Sequence, residues 1–83
     1  MTRSLVADTI DAAAAIGRED GRANLRPLPD PWAIRAAAQT RAGHPTSTRH
    51  PDTYGYCVLD DAEDAIAAAY RTAYAAARED APR

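Results

Sequence analysis

Residues suited to metal or thiol chemistry gather in one short stretch of this chain, HPTSTRHPDTYGYC, residues 44–57. It holds both histidines, the single cysteine and an aspartate: His44, His50, Cys57 and Asp52. Structural zinc sites usually take paired ligands roughly two to four residues apart from each half of the site, and this spacing does not match that pattern. We therefore expect no metal site in this stretch.

A catalytic cysteine is the second chemistry that this stretch suggests. Cys57 with His50 as its base would need an electropositive, accessible pocket and a third group that orients the histidine. The surrounding sequence, YGYCVL, supplies neither and is typical of a small buried cysteine. The sequence thus predicts no enzyme and no cofactor.

A run of carboxylates, DDAED, follows at residues 60–64. The run lacks the spacing and the glycine of a calcium-binding loop. Asp60, followed three residues later by Glu63, instead indicates a capping box at the start of a helix, where negative charge also suits the helix dipole. The cluster is therefore predicted to be structural.

Apolar residues at helical spacing predict three helices, at about residues 4–22, 30–42 and 60–79. Residues 23–29 form a proline-rich connector, because proline lacks the amide donor that a helix needs. In the second helix, Asp30 is a suitable N-cap, Pro31 fits the first helical position, and Gly43 suits a left-handed exit. We also expect Trp32 to close one end of the core.

Outward and inward positions of the second helix follow from its period. Arg35, Gln39 and Arg41 are predicted to face outward, and Ile34, Ala37 and Ala38 to face the core.

Residues 43–59 are predicted to form a short β-hairpin, because β-branched and aromatic residues flank the turn signal HPDT. An isolated hairpin is only marginally stable, so an irregular loop is the alternative. The predicted fold is mainly α, with three helices and a short hairpin inserted before the last one. The alternative is an all-α three-helix bundle.

Small residues recur every four positions on the first and last helices. The two stripes are Ala13, Gly17 and Gly21, and Ala65, Ala69, Ala73 and Ala77. Because small side chains allow helix backbones to approach closely, we expect these two helices to pack against each other. Ile66 and Tyr70 are predicted to be core residues of the last helix.

The composition indicates one small domain, residues 1–83, with a thin core. Of the 46% of residues that are hydrophobic, 21 are alanines and only ten are leucine, isoleucine or valine. At about 25 cal/mol per Å² of buried apolar surface, alanines stabilise a core weakly, which favours close helix packing or a homodimer. No apolar run approaches the roughly 20 residues that span a bilayer, so we expect a cytoplasmic protein.

Two surfaces are candidates for binding a partner. Aromatic residues and arginine often anchor protein interfaces, and the predicted partner-binding residues are Tyr54, Tyr56, Arg49 and Trp32. For nucleic acid, the candidates are Arg18, Arg22, Arg26 and Arg35. The first three would form one ridge if the first helix extended to Pro27. The formal net charge of −2 does not favour nucleic acid.

These observations favour a non-catalytic protein interaction module, such as an inhibitor or adaptor acting on a larger host complex. Small, solitary domains without motifs are often encoded by mobile elements such as phages. The alternative is a small DNA-binding transcriptional regulator that uses the arginine ridge and the hairpin.

Overall fold

The computed structural model describes residues 5–43 and 58–80, and these residues form three α-helices. The helices are α1 (Leu5–Arg22), α2 (Pro31–Arg41) and α3 (Val58–Asp80). No strand occurs within these two ranges, and the arrangement fits a three-helix bundle. The predicted hairpin lies outside the described residues except at its ends, where residues 58–59 are helical.

The end of α1 is fixed by backbone hydrogen bonds of the Schellman type. The amide of Leu25 donates to the carbonyl of Asp20 at 3.0 Å, and the amide of Asn24 donates to that of Gly21 at 3.2 Å. Asn24 has a φ of 58°, the left-handed conformation that this motif requires. The predicted helix end at Arg22 is therefore confirmed.

Both predicted ends of α2 are confirmed. The side chain of Asp30 accepts a hydrogen bond from the amide of Ala33 at 2.8 Å, and Pro31 occupies the first turn. Beyond the last turn, Gly43 has a φ of 85° and its amide donates to the carbonyl of Thr40 at 3.1 Å. These contacts satisfy backbone groups that a helix terminus leaves without partners.

The start of α3 differs from the prediction. The helix begins at Val58, so Asp60 lies inside its first turn and is not the N-cap. Leu59, predicted as a hairpin residue, is fully buried in the core. Burial of this leucine explains the longer helix, because packing against other helices stabilises a turn more than local capping does. The predicted capping box between Asp60 and Glu63 is therefore wrong.

The helices α1 and α3 pack closely and run in the same direction. A β-carbon added to Gly17 would meet the backbone of Tyr70 and Tyr74, and one added to Gly21 would meet the backbone of Tyr74 and Arg78. Moving four residues along α1, from Gly17 to Gly21, therefore moves the contact four residues towards the C-terminus of α3, which makes the two helices parallel. The predicted contact between the two small-residue stripes is confirmed.

The buried core joins all three helices. Its largest fully buried side chains are Tyr70, Ile34, Leu59, Ile66 and Thr9. The predicted burial of Ile34, Ala38, Ile66 and Tyr70 is confirmed. Ala37, also predicted to face the core, is only half-buried.

Two predictions for α2 are wrong. Trp32 does not close the core, since it is 68% exposed. Gln39 is buried rather than outward, and its side-chain oxygen accepts a hydrogen bond from Arg35 Nε at 3.3 Å. This hydrogen bond offsets the cost of burying the amide.

None of the helices in the described part of the chain combines the length and the apolar character needed to cross a bilayer.

Candidate interaction surface

An exposed apolar surface lies on the segment between α1 and α2 and on the first turn of α2. Leu25 is 54% exposed and Trp32 is 68% exposed, and among the described residues these are the large hydrophobic side chains left in solvent. We call residues 23–32 the connector face. Trp32 is one of the predicted partner-binding residues, whereas Leu25 is not. The sequence does contain a sign that Leu25 is exposed, because this leucine follows the end of α1 and belongs to no helical pattern of apolar residues.

Tyr70 holds the middle of the connector face from inside the protein. Its hydroxyl accepts a hydrogen bond from the amide of Leu28 at 3.0 Å and donates one to Asp20 Oδ2 at 2.8 Å. Burial of the hydroxyl, helped by the carboxylate of Asp20, raises the pKa of Tyr70 to about 12. The hydroxyl therefore stays protonated and keeps donating to Asp20 over the whole physiological pH range.

Tyr74 holds the same segment one helical turn further along α3. Its hydroxyl donates to the carbonyl of Leu25 at 2.5 Å and accepts from Arg78 Nη1 at 3.2 Å. The rings of Tyr70 and Tyr74 stack with centroids 6.0 Å apart. Sequence periodicity places Tyr70 and Tyr74 on one face of α3, but it does not indicate that their hydroxyls bind a connector more than 40 residues away.

The connector face is thus fixed by the rest of the fold. Its first residues belong to the Schellman motif that ends α1, its middle is bound by two tyrosine hydroxyls, and Asp30 caps α2 at its far end. A surface whose backbone is already fixed loses little conformational entropy when it binds. The arrangement suits a binding surface that presents Leu25 and Trp32.

A second surface feature is a groove of about 500 Å³ between α1 and α3. Its walls carry small and charged side chains, including Ala14, Arg18 and Arg22 on α1 and Ala68, Ala76 and Asp80 on α3. No described residue of α2 lines it. We call this feature the α1/α3 groove.

The structure does not bring the four predicted nucleic-acid residues into one ridge. Arg18 and Arg22 line the α1/α3 groove, whereas Arg26 lies beyond the end of α1 on the connector face. Arg35, predicted to face outward, has a side chain that is 15% exposed. The condition that α1 extends to Pro27 is not met, because the Schellman motif ends the helix.

Two groups of ion pairs connect α2 to the other helices, one to α3 and one to α1. Arg35 Nη1 pairs with Asp60 and, at 3.2 Å, with Glu63, both near the start of α3. Arg41 donates two hydrogen bonds to the carboxylate of Glu19, at 2.9 and 2.5 Å. These bonds lower the pKa of Glu19 and raise the pKa of Arg41. The clusters tie α2 to both long helices.

The remaining candidate residues lie outside the described part of the chain. They are the predicted partner-binding residues Tyr54, Tyr56 and Arg49 and the residues considered for metal or thiol chemistry, His44, His50, Asp52 and Cys57. Within residues 5–43 and 58–80, no group of three or more histidine, cysteine or carboxylate side chains could hold a metal ion.

Comparisons with known proteins gave no match: the chain fits no family model and resembles no curated protein or solved structure significantly.

Proposed function

We propose that this protein is a non-catalytic protein interaction module that binds its partner through the connector face, with Trp32 as the principal anchor. The observation that carries the proposal is the exposure of Trp32 in the first turn of α2, next to a connector that hydrogen bonds with Tyr70 and Tyr74 hold in place. Tryptophan is among the residues most enriched at the energetic centres of protein interfaces.

The position of Trp32 leaves a large apolar area available to a partner. A tryptophan side chain buries about 200 Å² in a core or interface. With 68% of Trp32 exposed, its burial by a partner would contribute roughly 3 kcal/mol at about 25 cal/mol per Å². In a chain with a single tryptophan and only ten large aliphatic residues, this area could otherwise have enlarged a thin core.

The neighbouring residues provide the remaining parts of an interface. Leu25 supplies a second apolar contact, and Arg26 supplies an exposed charge between the two. Tyr54, Tyr56 and Arg49 remain predicted contributors. An inhibitor or adaptor that acts on a larger host complex, as encoded by mobile elements such as phages, fits a small module with this kind of surface.

The test is a tagged capture from host lysate, divided into nuclease-treated and untreated halves, followed by titration of the purified partner. Trp32→Ala should weaken the affinity at least about 30-fold, since an anchor residue is worth about 2 kcal/mol or more. Its thermal stability should change little, because the side chain lies largely in solvent. Arg71→Ala, at an exposed position on α3, is the matched control and should bind normally.

Three results would overturn the proposal. One is an unchanged affinity of Trp32→Ala for the captured protein. Another is a loss of stability in Trp32→Ala as large as that of a core variant, which would make Trp32 a structural residue. The third is recovery of nucleic acid alone, removed by nuclease and sensitive to Arg22→Ala, which would favour the DNA-binding regulator.

A further inference from the structure

The α1/α3 groove is a surface that the connector face does not use. Ala68, Thr72 and Ala76 are exposed along the α3 wall of this groove, so that wall carries small side chains up to Asp80. Charges of opposite sign stand on its two walls, with Arg18 and Arg22 on α1 and Asp80 on α3. None of these three charged residues forms a salt bridge with another described residue.

We propose that the α1/α3 groove is the contact surface of a homodimer, in which a second copy of this chain covers it. The two walls carry charges of opposite sign, so one ion pair can form at each of two equivalent places in the dimer, while Arg18 adds a further positive charge on the α1 wall. A two-fold axis parallel to the helices places the α1 wall of one copy against the α3 wall of its partner. Arg22 then meets Asp80 of the partner subunit, and Asp80 meets the partner's Arg22.

The parallel direction of α1 and α3 makes this pairing possible. Because Gly21 lies opposite Ala77, Arg22 and Asp80 stand within about one helical turn of each other along the groove. Rotation about a two-fold axis along the groove leaves the position of each residue along the helix direction unchanged, so both ion pairs form in the same dimer. Self-complementary patches of this kind are what a closed two-fold dimer requires.

A dimer must extend its contact beyond the groove along both helices. The groove spans residues 14–22 of α1, about 13 Å of helix, whereas the 18 residues of α1 extend for about 27 Å, and two adjacent helices present a face roughly 18–20 Å wide. Contact along the whole of α1 would bury on the order of 500 Å² of each copy and about 1,000 Å² in both, the lower bound for a specific interface. The alanine surfaces allow the two backbones to approach closely, as α1 and α3 already do within one copy.

The experiment measures the mass of the protein by sedimentation over a range of concentrations up to about 100 μM, which would populate a dimer of micromolar Kd. The wild-type chain should be a dimer. Arg22→Glu and Asp80→Arg should each be monomeric, because each places like charges across both contacts. An equimolar mixture of these two variants should form a heterodimer. In it, the introduced glutamate faces the introduced arginine across one contact, and the native Arg22 and Asp80 face each other across the other.

Two further variants separate the groove from other surfaces. Ala76→Glu places a charge on the exposed α3 wall of the groove and should raise the Kd at least 10-fold, while circular dichroism shows an unchanged fold. Arg71→Glu makes the same change of charge as Arg22→Glu, but Arg71 lies on α3 outside the groove. This variant should leave the dimer intact. A monomeric wild-type chain would overturn the proposal, as would a dimer that persists in Arg22→Glu and Ala76→Glu.

Discussion

Replacing Gly17 by alanine should destabilise the fold, although alanine is the better helix former. In an exposed helix position, the change from glycine to alanine stabilises by about 1 kcal/mol. At Gly17, the new β-carbon would collide with the carbonyl oxygen of Tyr70 and lie 3.1 Å from the amide nitrogen of Tyr74. Backbone atoms cannot move aside by a change of rotamer, so α1 itself must shift.

The cost follows from the size of that shift. Ordinary carbon contacts are about 3.5–4.0 Å, so α1 must move away from α3 by up to about 1 Å. Overpacking of this kind costs about 1–3 kcal/mol, and a clash with backbone belongs at the upper end. After subtraction of the helix-propensity gain, we expect a net loss of about 2 kcal/mol. For a domain of this size, the melting temperature should fall by roughly 8–16 °C.

The assay is denaturant unfolding followed by circular dichroism, with all variants at one protein concentration because a dimer would link stability to concentration. Ala75→Gly, at an exposed position of α3, is the control and should cost about 1 kcal/mol. Gly21→Ala should also destabilise. The double variant should lose less than the sum, since one displacement of α1 relieves both clashes. Stabilisation by Gly17→Ala would refute the close backbone contact.

Two further predictions concern the polar contacts that fix the connector and α2. Tyr70→Phe should cost about 1–3 kcal/mol, because the amide of Leu28 and the carboxylate of Asp20 both lose their partner. The pKa of Tyr70 is raised from 10.0 to about 12, so its contribution to stability should be complete below pH 10 and disappear between pH 10 and pH 12. Tyrosinate absorbance during titration should show a late-titrating group that Tyr70→Phe lacks; an alkaline end of the titration curve that Tyr70→Phe leaves unchanged would contradict the burial argument. Arg35→Met should destabilise more than Arg41→Met in the same unfolding assay, because the Arg35 side chain is 15% exposed and joins two carboxylates, whereas the Arg41 and Glu19 side chains are 49% and 55% exposed. Equal losses would contradict this ranking.

The parts of the fold that are most predictable from sequence are those set by local chemistry. Asp30, Pro31 and Gly43 delimit α2 as their backbone preferences require. The two small-residue stripes predict the contact between α1 and α3, since only small residues allow such an approach. The parallel direction of those helices is not predictable, because a stripe of small residues packs equally well in either sense.

The errors come from contacts between residues distant in sequence. Asp60 and Glu63 have the spacing of a capping box, but both carboxylates bind Arg35, 25 and 28 residues earlier. Large apolar residues are usually buried, which favours Trp32 as a core residue, yet Ile34 and Leu59 fill that core instead. Local patterns do not determine which of several apolar residues a small core has room for.

Alanine explains why the sequence could not separate the packed side of α3 from its exposed side. Residues four apart advance by about 400°, so a stripe at this spacing turns by about 40° at each step. Ala65 is accordingly exposed, Ala69 and Ala73 are half-buried, and Ala77 is 5% exposed against Gly21. The same stripe of alanines is therefore exposed at its first residue, Ala65, and packed against α1 at its last residue, Ala77. Since alanine is equally compatible with both environments, the proposed dimer surface rests on the charges along the α1/α3 groove and not on the alanine stripe.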